Sequence, residues 1–235
     1  MKNDVANVST TRGVKGGYVF RAPLGTPLPT DIRTPLNPDV WVNIGFVASD
    51  GFKEGVDGGS AETITDLNGD VVDTYSEGGA KETLVLKLIE MAVESLKVQY
   101  GDKNVEVRDG MIVVKHDWSN ANETYSYVLE LVLKNGRRWR KVITGGTSGE
   151  RGEFTGNSTE VAGREVTLTY TVDKDGSGCY DYIEVTPGSA TGKTFDEMTI
   201  DELKKYAADN NIDITGKTTK ADILEAIKAV VAATE

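Results

Sequence analysis

Alternation governs the first three quarters of the chain. Tyr125, Tyr127, Leu129, Leu131 and Leu133 fall on one side of an extended backbone. Four dipeptides suited to positive φ, Asn68-Gly69, Asp109-Gly110, Asn135-Gly136 and Asp175-Gly176, stand between strand-like runs. Such pairs form turns whose twist joins antiparallel strands, so the pattern predicts a series of hairpins. A two-residue turn at Asn135-Gly136 sets Val132 opposite Trp139 and Glu130 opposite Lys141, pairing apolar with apolar and acid with base. Trp41–Val47 reads as a short strand, and the glycine-rich stretch 51–66 as a long loop. Glu82–Glu90 is apolar on both faces and reads as a buried strand. Val93, Leu96, Lys97 and Tyr100 then repeat at helical spacing, with Gly101 as the stop.

The period changes near the C-terminus. Thr199 with Glu202 predicts a capping box, and Leu203, Tyr206 and Ala207 an apolar stripe. Asn210-Asn211 ends that helix, and Ile212 and Ile214 anchor an extended turn. A second helix starts near Thr219 and buries Ile223, Leu224, Ile227 and Val231. The fold class is therefore mainly β: a sandwich or barrel with one flanking α-helix, followed by a small two-helix domain. The expected organisation is an arm over 1–40, a β domain over 41–186, a linker over 187–197 and the helical domain over 198–235. The arm holds all but one of the six prolines, which disfavours helix and sheet alike. The arm and the loop 51–66 are expected to be mobile in the free subunit and to order on assembly.

With 235 residues, the chain can bury a core without covalent staples. Its single cysteine, Cys179, excludes an internal disulfide. No apolar run suits a secretory signal or a membrane helix, so the reading is a soluble protein made in the cytosol, with no membrane anchor. The net charge of −11 disfavours tight binding to a phosphate backbone, but suits a wall that DNA must slide past.

Candidate chemistry is sparse. Asp173 to Glu184 matches a calcium loop in spacing, with Asp173, Asp175 and Glu184 at the first, third and twelfth positions. Strand-like runs flank it where a calcium hand needs helices, so it reads as a hairpin tip, and no metal or cofactor is assigned. Pro187–Thr194 imitates a phosphate loop, but lacks the leading glycine and reads as linker. His116 is the only histidine and sits in a strand-like run. Cys179 has no evident base, and Trp41, Trp118 and Trp139 read as packing. No nucleophile–base pair emerges, so an enzyme is not expected.

Two stretches carry a resemblance. Gly17–Asp31 (GYVFRAPLGTPLPTD), followed by Trp41–Gly51 (WVNIGFVASDG), resembles the opening of major tail tube proteins of long, non-contractile-tailed bacteriophages. Asn68–Val72, Glu82–Glu90, the helix ending Val98-Gln-Tyr-Gly101 and Tyr125–Trp139 resemble that family's central strand–helix–hairpin. The likeness covers about residues 15–186. It implies a structural subunit forming stacked rings, hexameric in such tubes, whose strands join into one inner barrel. It also implies a tape-measure protein in the lumen, a tail terminator and a distal tail protein as partners, and DNA passing through without specific binding. The location implied is the virion tail, assembled in the host cytoplasm. A net-negative lumen is the matching expectation. The alternative class is a β-sandwich adhesin on a virion or cell surface.

The C-terminal segment, Met198–Ala207 through Ile212–Gly216 to Lys220–Leu224, resembles SAP/LEM-type and Rho N-terminal-type helical modules. Residues 193–235 carry six lysines, no arginine and nine acids, a net of −3. That charge departs from the DNA-binding members and points to protein contact or surface decoration.

Overall fold

The computed structural model describes residues 8–77, 80–185 and 195–233. In chain order the strands are β1 (Thr11–Gly13), β2 (Val19–Pro23), β3 (Val42–Asn43), β4 (Val47–Asp57), β5 (Ser60–Thr65), β6 (Val71–Glu77) and β7 (Lys81–Leu88). Helix α1 (Val93–Tyr100) follows, then β8 (Val105–Arg108), β9 (Met111–Val114), β10 (Thr124–Leu133), β11 (Arg138–Thr155), β12 (Gly163–Thr171) and β13 (Cys179–Ile183). Helices α2 (Ile200–Asp209) and α3 (Lys220–Ala233) close the chain. The mainly β class with one flanking helix and two C-terminal helices is the one the pattern predicts. The main sheet runs β3-β2-β10-β11-β12-β7-β4, with β1 also on β10 and β13 also on β11; β5–β6 and β8–β9 are separate ribbons.

The chain divides into two compact units. The larger comprises Gly13–Glu130 with Arg140–Asp181. Its core is the leucine ladder of β7, Leu84, Leu86 and Leu88, set by register beside Val166 and Leu168 of β12. Each leucine is fully buried, worth roughly 1.5–3 kcal/mol. Lys81–Leu88 alternates in burial, so only one face of this strand is fully covered, not both as its composition suggests. Tyr127 is equally buried because Gly146 leaves room for its ring: a Cβ there would stand 3.0 Å from it. Helix α1 packs on β8, β9 and β12. It stops at Gly101, whose φ of 93° and whose approach to Ala121 (2.8 Å from a built Cβ to Cα) both exclude a side chain.

Three expectations change in this unit. Residues 51–66 are not a loop: Phe52–Asp57 pairs antiparallel with Lys81–Leu86, and Ser60–Thr65 with Val71–Glu77. Glycines hid these strands, because β pairing is set by partners more than by local preference. Residues 19–23, inside the proline-rich arm, form β2 and pair with Tyr125–Leu129 of β10. Asp175-Gly176 does not cap a hairpin. Gly145 pairs with Thr171 at the end of β12, and Thr144 N–H donates to Gly178 O at the start of β13. Strands β12 and β13 thus follow one edge of β11, and residues 172–177 loop out between them. Thr144 Oγ1 lies 2.6, 3.2 and 3.1 Å from the carbonyl oxygens of Thr171, Ser177 and Gly178, which clamps the loop's base.

The smaller unit comprises residues 8–12 of the described chain, Leu131–Trp139 and the C-terminal segment from Tyr182. In its β segment Leu133 N–H donates to Arg137 O, closing a three-residue loop over Lys134–Gly136 with Gly136 at φ 74°. The turn is one residue longer than the Asn-Gly pair predicts. In its helical segment Met198, Leu203, Ala207, Ile212, Ile223 and Ile227 form a core flanked by Phe195, Tyr206, Ile214 and Leu224. The capping box forms: Glu202 N–H donates to Thr199 Oγ1 (3.3 Å) and Thr199 N–H to Glu202 Oε2 (2.7 Å). The side chain of Val231 and the linker residues 186–194 lie outside what the structure describes.

Candidate assembly site

The β5–β6 ribbon is the part of the larger unit that cannot stabilise itself. Its turn is well built, because the Asp66 carboxylate accepts N–H bonds from Asn68 and Asp70 at 2.9 Å each, which lowers its pKa. Its faces are bare. Ile64, Leu67, Val71 and Val72 are exposed, Leu67 fully so at 104 %, and Val56 at the end of β4 is exposed beside it in sequence. A two-stranded ribbon without a covered face is marginal in water, and clustered exposed apolar residues mark a contact surface. Residues 57–77 also carry six acids (Asp57, Glu62, Asp66, Asp70, Asp73 and Glu77) and no lysine or arginine.

Buried charge elsewhere in this unit is mostly compensated. Arg21 on β2, 5 % exposed, meets Asp102 and Glu94 at 2.8 Å each and lies 4.5 Å from the Tyr125 ring centroid. Both carboxylates lose water, which raises their pKa, but hydrogen bonds from Arg21, and from Lys97 to Glu94, outweigh this and hold them below their ordinary values. The cluster fastens α1 and the turn after it to the sheet. Lys141, 1 % exposed, reaches Glu54 on β4 (2.8 Å) and Asp181 on β13 (2.9 Å). Burial opposes its charge, but the two acids more than offset this and raise its pKa. Tyr170 Oη donates to the same Glu54 at 2.8 Å.

The residues singled out for chemistry are not assembled into a site. The Asp173 carboxylate is occupied by its own loop, accepting from Asp175 N–H (2.9 Å), Ser177 N–H (3.0 Å) and Tyr180 Oη (2.8 Å). The Glu184 carboxylate accepts from Arg138 N–H at 3.0 Å. Asp175 lies exposed at the loop's crest. Among the described residues no group of three or more His, Cys, Asp or Glu side chains is placed to hold a metal. His116 lies against Tyr100, ring centroids 4.9 Å apart, in an aromatic cluster with Trp118. Burial pushes the Cys179 thiol up to about 12, against the opposing pull of Lys141 3.7 Å away. The phosphate-loop imitation at Pro187–Thr194 lies outside the described residues.

One arrangement was not legible in the sequence. Arg151 of β11 and Arg164 of β12 both lie over the indole of Trp118, at 5.6 and 5.5 Å from the ring centroid, and Arg164 also lies 4.9 Å from that of Tyr100. Trp118, Arg151 and Arg164 are 13 to 46 positions apart, and no local motif announces them.

A family model described as phage tail tube protein matches residues 6–193. The matched span covers β1 to β13 and the arm from residue 6 onward, and stops before α2. No curated protein matches the chain. No helix among the described residues is long and apolar enough to cross a membrane.

Proposed function

The chain belongs to the phage tail tube protein family and is a structural subunit of a phage tail; from that premise we propose that it builds the tube of a long, non-contractile tail. Subunits join in rings, hexameric by the family resemblance, and the rings stack around the tape-measure protein into the conduit for DNA ejection. A tail terminator and a distal tail protein bound the tube, which assembles in the host cytoplasm. The observation that carries this reading is the β5–β6 ribbon. It forms a sheet separate from the main one, exposes four apolar side chains and needs a neighbour to cover them. Head-to-tail contacts of this kind close into rings or extend into tubes. The acid excess supports a net-negative lumen that does not trap DNA. The helical segment from residue 195 lies wholly beyond the family match and has a core of its own. We read it as a SAP/LEM-like decoration that contacts protein.

Negative-stain microscopy of the purified full chain tests the proposal. Rings or tubes are expected; monomers alone at all concentrations would remove it and favour the adhesin reading.

A further inference from the structure

We propose that Arg151 and Arg164, with Trp118 between them, form the socket that receives the acidic β5–β6 ribbon of a second copy of the chain. This rests on the tube reading and deepens it, by naming where one subunit grips another.

The pair departs from the charge pattern of its own unit. Buried Arg21 has two carboxylates, and Arg140 has Glu130. Arg151 has only neutral acceptors: Gln99 O (2.6 Å), Ala121 O (2.6 Å), Asn122 Oδ1 (3.0 Å), Gly149 O (3.2 Å) and Ser148 Oγ (3.2 Å). Arg164 has one long contact, to Tyr100 Oη at 3.5 Å, and its Nε is buried with no hydrogen-bond partner. Two guanidinium groups therefore share one indole without a carboxylate among the described residues. Burial lowers the Arg151 pKa, and the charge of Arg164 lowers it further, so each cation disfavours the other. Such a pair is poised for an anion, which would relieve the repulsion and satisfy the orphan N–H together. The aromatic floor holds the guanidinium planes in place, which favours a fixed fork over a mobile charge.

The occupant must be anionic and partly apolar, since Trp118 is 47 % exposed beside the arginines. The ribbon answers both needs, with five acids (Glu62, Asp66, Asp70, Asp73 and Glu77), no base, and apolar side chains between them. Within one subunit the described hydrogen bonds of Arg151 and Arg164 go to residues outside the ribbon. Nucleic acid is the weaker fit, because two arginines in a chain of net charge −11 would hold a phosphate backbone poorly.

A charge-reversal pair in the full chain tests the contact. Arg164→Glu should raise the concentration needed for tube formation at least about tenfold, and Glu62→Lys/Asp70→Lys/Asp73→Lys should do the same. Combining them should restore tubes toward the wild-type threshold. If wild type forms tubes and Arg164→Glu forms them equally well, the socket is wrong while the tube reading stands. If Arg164→Glu fails and the combination does not recover, the ribbon is not the occupant. If wild type forms no tubes, the tube reading itself falls. A photo-crosslinking side chain at Leu67 covers the case in which a variant misfolds. In wild-type tubes it should couple to a peptide holding residue 118, 151 or 164 of another copy, and coupling only elsewhere would overturn the proposal.

Discussion

The guanidinium of Arg140 meets the carboxylate of Glu130 at 2.6 Å, one register step away from the Glu130–Lys141 pairing that an Asn-Gly turn implies. The added loop residue moves Arg140 to the face that Glu130 occupies and sends Lys141 to the other, where Glu54 and Asp181 receive it. Arg140 is 4 % exposed and also donates to Asp31 O at 2.6 Å. Glu130→Ala would leave that cation buried with one neutral acceptor. We expect a loss of about 3 kcal/mol, read as a lower urea midpoint at unchanged slope. A loss within experimental error would mean that Arg140 reaches water by moving.

Acid should loosen the attachment of α1. Glu94 and Asp102 have folded pKa values below their ordinary 4.5 and 3.8, because burial is outweighed by bonds from Arg21, and for Glu94 from Lys97. A depressed carboxylate pKa contributes stability that is present above the unfolded value and is lost as pH falls through the folded one. The window therefore opens near pH 4.5 and extends below 3.8. Arg21→Met should shrink the difference in unfolding free energy between pH 7 and pH 3. An unchanged difference would place the acid sensitivity elsewhere.

The parts of this fold that were legible are those fixed by neighbours in sequence. Gly101 ends α1, Asp109 and Gly110 take positive φ between β8 and β9, and Thr199 with Glu202 caps α2. Each depends on a few adjacent residues. The parts that were not legible depend on distant partners. Phe52–Asp57 becomes a strand because β7 lies beside it, despite Gly55. Val19–Pro23 does so because β10 does, despite the prolines around it. Arg151, Arg164 and Trp118 meet only once β11, β12 and the turn after β9 are in place. Hydrophobic alternation reports which residues are buried, and it does not report which half-buried cation lacks an acid.

Cys179 should be slow to react. Its thiol is pushed up to about 12 by burial, so at pH 8 its thiolate population falls roughly a thousandfold below that of an ordinary cysteine. Alkylation or disulfide exchange on the native chain should lag the same reaction in urea by at least two orders of magnitude. Lys141→Met should slow it further, since the lysine's charge favours the thiolate. A faster native reaction would mean that the β12–β13 loop opens readily.

The C-terminal segment should be separable from assembly. Its core of Met198, Leu203, Ala207, Ile212, Ile223 and Ile227 draws on residues 198–227 alone, and the family match ends at residue 193. Ile223 and Ile227 are completely buried, and deleting such a side chain to alanine costs about 2–5 kcal/mol. A core this small has little to lose. Ile223→Asp in the full chain should therefore abolish the helical signal of α2 and α3, read by amide exchange over residues 198–233, while the β body keeps its protection. Tubes should form at the wild-type concentration. If the variant stays monomeric with an intact body, the segment is part of the subunit interface and its reading as a decoration is wrong.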